Sequence, residues 1–311
     1  MQGEVHPELA LTHIDISVLK KLPLDKLKNL TNIDLIGNFG DPLMHPNIDE
    51  VLDFFKKQKI MISTNASIRN ELWWERLGKR NNVKVIFCID GLEDTHHLYR
   101  RNTSYTKIMR HADRFIRAGG KAVWQFIVFK HNEHQTQEAK AIAEKMGFHK
   151  IDFIYSDRFE ASDTWKVYEN GKHVYDLEKS SNQTLHRELM NSEKGEKDWK
   201  NINRDKGPIE CIWSQLKKMY IHSDGVVYPC CMMGTVPTRK IENLLLTKIV
   251  KDQTKMSLQH NDLEDILDSE VYKKLLPKSL QGDPFSHPTC IAFCNRSTGK
   301  LKYQHLNILN N

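Results

Sequence analysis

Between Leu30 and Ser156 the chain alternates two hydrophobic rhythms. Unbroken apolar runs occur at NIDLIGNF (32–39), KIMISTN (59–65), VKVIFCID (83–90), KAVWQFIV (121–128) and HKIDFIYS (149–156). Between them lie segments whose apolar residues recur at helical spacing: Asn47 to Lys57, Arg69 to Arg80, Thr106 to Ala118 and Glu133 to Met146. Continuous rather than alternating hydrophobicity is what strands buried on both faces require. With a helix between each pair, at the roughly 30-residue period of a βαβ unit, it predicts right-handed crossovers and a parallel sheet. A further helix is expected at about Ile16 to Leu30, and a helix that opens such a series usually follows a strand.

After Ser156 the character changes. Residues 157–208 are polar and dense in charge, ending in GEKDWKNINRDKGP, with too few apolar residues for a core of their own. They predict a bridging segment, helical around Gln183 to Met190. Further on, KMYIH, a Ser-Asp-Gly turn and VVYP predict a β-hairpin at residues 218–229. The expected organisation is therefore an α/β unit over 1–157, a polar insertion over 158–208, and a small cysteine-bearing α+β domain over 209–311.

Bulk properties narrow the classes. The 311 residues are 39% hydrophobic and 28% charged, as in an ordinary globular protein. No apolar run approaches a membrane span, and MQGEVHPELA has neither the basic nor the apolar region of a secretory signal, so a cytoplasmic location is expected. The net charge of +6 is spread along the chain; it permits an anionic substrate and gives no argument for nucleic acid.

Chemistry enters with the cysteines. Cys88 sits between Phe87 and Ile89 and reads as an inert core thiol, whereas Cys211, Cys230, Cys231, Cys290 and Cys294 all fall in the last third. In a cytosolic chain such clustering favours a metal or iron–sulfur site over disulfides. The hairpin can fold Cys211 and Cys230 together, and Cys290-x3-Cys294 supplies a second pair. Four thiolates in two pairs fit either a tetrahedral zinc or an iron–sulfur cube, and spacing alone does not choose. Cys231 is an alternative to Cys230.

The other candidate site is the stretch GNFGDPLMHP (37–46) at the end of the first strand. A simple βα turn accounts for these residues in isolation. The carboxyl ends of parallel strands are nonetheless where α/β folds bind ligands, and a Gly-Asp-Pro there suggests backbone held open for one.

Several segments together resemble a known family. Cys211, thirteen residues, Gly225, four residues and Cys230 resemble the opening of the SPASM auxiliary-cluster domain that follows radical S-adenosylmethionine (radical SAM) barrels, and Cys290-x3-Cys294 resembles its closing portion. GNFGDP resembles the radical SAM "GGEP" motif, with Gly40, Asp41 and Pro42 at its last three positions. STNAS matches the strand end written TNG, at Thr64 and Asn65. CIDGLEDTHHLYR resembles the stretch after the next strand, giving Asp90, Gly91 and Arg100, and IVFKHNEHQ supplies Asn132. The motifs fall in the family's order over about residues 30 to 300.

The resemblance implies a partial (β/α) barrel, a 4Fe-4S auxiliary cluster held by Cys211, Cys230, Cys290 and Cys294, and S-adenosylmethionine (SAM) held by Gly40, Asp41, Pro42, Thr64, Asn65, Asp90, Arg100 and Asn132. It also implies a reductant and a substrate that in many relatives is a peptide or protein. The chain departs from the family at four places, the first being that the middle cysteines of a full SPASM domain are missing, so that one auxiliary cluster is expected rather than two. No cysteine precedes Cys88, so the Cys-x3-Cys-x2-Cys of the radical SAM cluster is absent; the acid of GEP is Asp41; and the glycine of TNG is Ala66. The expectation is a truncated chain, lacking the first barrel strand and inactive alone, with weak SAM affinity. The rival class is a non-catalytic α/β scaffold whose four cysteines hold a zinc or iron–sulfur knob. Of the remaining residues, Trp73 and Trp74 read as helix packing, and His96, His97 and Arg101 as polar surface.

Overall fold

A computed structural model describes residues 12–37, 40–156, 159, 163–181, 208–234, 253–282, 286 and 290. The helices in the first half are α1 Ile16–Leu19, α2 Ile48–Phe54, α3 Glu71–Gly78, α4 His96–Tyr99, α5 Tyr105–Arg117 and α6 Thr136–Met146. The strands are β1 Asn32–Ile36, β2 Lys59–Thr64, β3 Val83–Cys88, β4 Lys121–Val128, β5 Lys150–Tyr155, β6 Thr164–Glu169, β7 Lys172–Glu178, β8 Tyr220–Ile221 and β9 Val227–Tyr228. Contacts divide the chain into two compact units, one of Met1–Val5 and Leu24–His186, the other of His6–Pro23 and Arg187–Asn311.

In the first unit β1 to β5 form one parallel sheet in chain order. The register aligns Ile62 with Val85, Phe87 with Trp124 and Phe126 with Phe153, so one face is continuously apolar. The crossover helices bury against that face. In α3, Asn70 caps the helix by accepting from Trp73 N–H, and Trp73, Trp74 and Leu77 are buried, as expected of packing residues. α5 presents Ile108, His111, Ala112 and Phe115, and the His111 ring stacks on Trp74 at 5.6 Å. The two helices meet at Gly78, where a Cβ would lie 2.3 Å from the Phe115 carbonyl oxygen, so only glycine allows this approach.

Two expectations are corrected. The helix anticipated over Ile16–Leu30 is a single turn, capped by Asp15 and stopped before Pro23, whose ring disfavours helical backbone at Leu22. It belongs with the C-terminal part of the chain, and Lys21 Nζ donates to Gln259 O at 2.9 Å. The segment after residue 157 is also more structured than its composition suggests. β6 and β7 form an antiparallel hairpin whose Val167 and Leu177 cluster with Phe129 and Phe159 of the same unit. The helix expected at Gln183 to Met190 lies outside the described residues.

Glu133 fastens the end of this hairpin. Its carboxylate accepts from Ser180 Oγ, Ser181 N–H, Ser181 Oγ and Lys130 Nζ at 2.7–2.9 Å. Burial opposes its ionisation, but the bonds from Ser181, Ser180 and Lys130 outweigh it and hold the carboxyl at about 2 instead of the usual 4.5. A depressed carboxyl stabilises the fold above its unfolded value, and that contribution is lost as pH falls from about 4.5 through about 2. Glu133→Gln is therefore expected to flatten the acid limb of a stability–pH profile over this window. It should also increase hydrogen exchange in β7. An unchanged acid limb would show that the carboxylate does not hold the hairpin.

The second unit contains the hairpin expected from sequence. β8 pairs with β9, Tyr220 opposite Tyr228, through a turn in which Gly225 has φ +84° and Gly225 N–H donates to His222 O. Short helices at Ile212–Gln215, Leu263–Asp268 and Leu276–Ser279 accompany it. Among the described residues no helix is long and apolar enough to cross a membrane.

Candidate functional site

In a parallel sheet all strands end on one side, and four of these ends carry the candidate residues of the first unit. At the end of β1, Asp41 caps a 3-10 turn at Pro42–Met44 by accepting from Leu43 N–H at 2.9 Å. The same carboxylate accepts from Thr64 Oγ1, at 2.7 Å for the nearer oxygen, and from Asn65 N–H at 2.8 Å. Asp41 thus ties the β1 loop to the end of β2. Its acceptor capacity is spent inside the protein, and what it organises is backbone. Among the described residues a Cβ on Gly40 would meet nothing within 4 Å, which leaves room there beside Asp41.

Beyond β2 the Asn65 side chain closes an Asx turn, accepting from Ser67 N–H at 2.9 Å and from Ser67 Oγ at 2.6 Å. Ala66, which stands where the resembled motif has glycine, has φ +53°. The left-handed backbone is retained there without the residue that adopts it freely, and a non-glycine residue is strained by about 1–2 kcal/mol in that region.

A second network lies at the ends of β3 and β4. Asp90 is fully buried; Arg100 Nε donates to its Oδ2 at 2.5 Å and Ile127 N–H to its Oδ1 at 2.6 Å. Burial works against the Arg100 charge, but Asp90 outweighs it, and the guanidinium stays protonated with its Cζ 5.2 Å from the Tyr99 ring centre. Gly91 has φ +136°, and a Cβ there would lie 2.4 Å from Thr95 Oγ1, so Asp-Gly is required for this turn. Asn132, also fully buried, accepts from Phe129 N–H and donates to Asp90 O and Ile127 O. Both of its amide hydrogens and its oxygen are thereby engaged. It braces the Asp90 turn, whereas both Nη groups of Arg100 are without a hydrogen-bond partner among the described residues.

Cys88 joins the two networks. Its thiol donates to Gln125 Oε1 and lies 3.4 Å from Ser63 Oγ on the sheet face opposite the helices. Burial pushes the thiol up, while the charges of Arg100, Asp90 and Asp41 all reach it. It is a protonated core thiol, as its sequence neighbours suggested.

The loop after β3 holds details that sequence reasoning missed. His96, expected at the surface, is buried: it opens α4, its ring contacts Thr103 Oγ1 at 3.0 Å, and burial lowers its pKa to about 4. Arg101 is not merely solvated, since Nη1 donates to Tyr168 O at 2.8 Å and the guanidinium pairs with Glu169. Tyr175 OH donates to Leu98 O at 2.6 Å. The β6–β7 hairpin therefore grips residues 98 and 101 on either side of Arg100. A cavity of about 620 Å³ lies elsewhere, and none of the candidate cofactor residues lines it.

The second unit gathers cysteines. Cys211 caps the turn at Ile212–Gln215, Cys230 and Cys231 follow β9, and Cys290 is buried. Burial first, and then the neighbouring cysteines, push the Cys290 thiol up to about 12 and the Cys230 thiol up to about 11; Cys211 contributes to both. Met233 and Met232 N–H groups donate to the Cys230 sulfur. Buried sulfurs that feel one another and receive backbone N–H bonds suit a thiolate-bound metal or cluster, which would supply the missing positive charge. Among the described residues no three His, Cys, Asp or Glu side chains lie at metal-holding spacing, and Cys294 lies outside those residues. Cys231 differs in its surroundings: it acts on Cys230, but Lys218 acts on it and it does not appear among the influences on Cys290.

Residues 211–296 match the family model of SPASM, an iron–sulfur cluster-binding domain. Among solved structures, the chain is similar to native anSMEcpe with bound AdoMet and Cp18Cys peptide, at 17% identity and a TM-score of 0.53, covering 85% of this chain and 76% of that one. It is also similar to Streptococcus suis SuiB bound to S-adenosylmethionine, at 16% identity and a TM-score of 0.52, covering 86% of this chain and 64% of that one. SuiB bound to precursor peptide SuiA matches at 17% identity and a TM-score of 0.48, over 78% of this chain and 55% of SuiB. The chain thus spans between about half and three quarters of these proteins. No curated protein sequence matches it. The five-stranded parallel unit shares its α/β fold with anSMEcpe and SuiB, and residues 211–296 of the same chain match a SPASM iron–sulfur cluster-binding domain.

Proposed function

We propose that this chain is the SAM- and substrate-binding part of a radical SAM/SPASM enzyme that modifies a peptide. The observation that supports it best is the pair of networks at the strand ends. Asp41 shapes the backbone loop at Gly40, and Asp90 holds Arg100 with its Nη fork unspent. The loop would receive the amino group of SAM through backbone carbonyls. The fork would receive a carboxylate or ribose oxygen, for which a planar two-donor group is suited. Thr64, Asn65, Pro42 and Asn132 act by holding these two in place. When bound, and given one electron from an iron–sulfur cluster, SAM supplies the 5′-deoxyadenosyl radical that abstracts hydrogen from a substrate. A peptide substrate is supported by the peptide bound to anSMEcpe. Cys211, Cys230, Cys290 and Cys294 would hold the auxiliary cluster.

Residues 1–311 include no Cys-x3-Cys-x2-Cys, and this favours a second reading, a non-catalytic α/β binding protein with a cysteine metal centre. SAM chemistry separates the two. The 311-residue chain is expected to bind SAM weakly and to form no 5′-deoxyadenosine with dithionite. A version extended by a strand bearing Cys-x3-Cys-x2-Cys, loaded with iron and sulfide, should form it. If the extended, loaded protein still makes none, the radical SAM reading fails. Arg100→Ala should weaken SAM binding of the extended protein by about tenfold, the loss of one charge-assisted contact.

A further inference from the structure

The cavity beside the β1 loop serves neither network. It is a wide-mouthed groove of about 620 Å³ between residues 43–46, residues 68–70 and the outer side of α3, with Pro46, Ile68 and Trp73 in its lining. Met44 stands 58% exposed in the lining, and Leu72, one helical turn before the lining residue Arg76 on α3, is 66% exposed; they are among the most exposed large apolar side chains of the described residues.

The groove is also cationic. Arg69 and Arg76 both line it, and among the described residues neither makes an ion pair. The acids that could neutralise them are engaged elsewhere: Glu75 with Lys79, Asp53 with Arg80, and Glu71 with Arg114 and Arg110. Asp49 accepts from the Trp73 indole N–H. Arg69 has φ +66° and spends Nε and Nη2 on Leu43 O and His45 O, so its Nη1 edge is fixed in position, while its Cζ lies 5.7 Å from the Trp73 ring centre.

We infer that this groove docks a partner polypeptide segment that carries an acidic side chain beside an apolar one. The carboxylate meets Arg76 and the Nη1 edge of Arg69, and the apolar side chain covers Met44 and Pro46. Unneutralised guanidiniums select the sign of the partner, and the flanking apolar surface selects a side chain over a bare anion. A wide-mouthed groove suits several consecutive side chains better than a small molecule, which binds by being enclosed. The inference stands apart from the SAM reading, because none of the residues proposed to hold SAM lines the groove; Leu43, whose N–H donates to Asp41, is shared only through its backbone.

The test selects random peptides of about twelve residues against the full chain, without SAM, and then measures synthetic representatives by fluorescence anisotropy. Enriched sequences should pair Asp or Glu with Leu, Phe or Met. Their affinity should fall at least about tenfold in Arg76→Glu and in Met44→Asp, and fall in about 0.5 M salt. Both positions are exposed, and circular dichroism confirms that the variants are folded. A swap completes the cycle: replacing the peptide's acid by lysine should recover binding to Arg76→Glu. No enrichment, enrichment of basic sequences, or equal binding to the variants would overturn the inference. So would displacement of the peptides by single-stranded RNA at equal charge, which would assign the groove to nucleic acid.

Discussion

Asp90→Ala is expected to lower the stability of the folded chain by about 3 kcal/mol, near the lower end of what breaking a buried ion pair costs, because Arg100 keeps a 24% exposed side chain. Two groups are stranded by the change. The Arg100 guanidinium loses the charge that holds it, and Ile127 N–H loses its acceptor at the end of β4. Asp90→Asn keeps an acceptor for Ile127 and removes only the charge, so it should cost less, about 1–2 kcal/mol. Arg100→Ala leaves a fully buried carboxylate without its counter-charge and should be at least as damaging as Asp90→Ala. Urea denaturation of the three variants, read by circular dichroism, gives this order through the midpoints. If Asp90→Ala loses less than about 1 kcal/mol, the pair is not what fixes Arg100, and its proposed role as a cofactor fork loses its support.

The sheet was legible because its strands carry unbroken apolar runs such as Ile60, Met61, Ile62 and Val85, Ile86, Phe87, buried on both faces, which only a strand covered on both sides can use. All five strands and all four helices expected from Asn47 to Met146 appear, most of them shorter than expected at one or both ends. The β6–β7 hairpin was not seen, although its signal was present. Asn170-Gly171, with φ of +50° and +74°, is the two-residue turn that joins antiparallel strands most readily. The surrounding charge hid it, and the apolar residues of the hairpin have no core of their own. Val167 and Leu177 pack instead on Phe129, and Tyr175 on a backbone oxygen at Leu98, both distant in sequence.

At the strand ends the residue types were legible but their division of labour was not. Asp41 and Asn132 turn inward and spend every polar atom on the protein, which no spacing rule announces. The burial of His96 is of the same kind. It follows from the Asp90-Gly91 turn, which brings Thr95 and His96 back against Gly91.

Replacing Cys230 or Cys290 by serine is expected to abolish iron–sulfur incorporation, from about four irons per chain in the reconstituted wild type to near zero. The physical reason lies in the burial of these thiols. With Cys290 near 12 and Cys230 near 11, neither ionises in the metal-free protein at neutral pH, so binding must displace protons and the bound charge must offset the desolvation. A serine oxygen is a poor match for iron and would be left as a buried hydroxyl. Cys88→Ser supplies the control, because Cys88 lies in the other unit and is bonded to Gln125 and near Ser63. It should retain the full iron content. Cys231→Ser should also retain most of it, since Cys231 is absent from the influences on Cys290 and the Met233 N–H bond goes to Cys230 and not to Cys231. Iron and sulfide analysis with the charge-transfer absorption distinguishes a cluster from zinc, and metal analysis of the protein as purified shows which is present. Undiminished iron in both Cys230→Ser and Cys290→Ser would mean that the cluster is held by other residues, and loss in Cys231→Ser alone would move the ligand by one position.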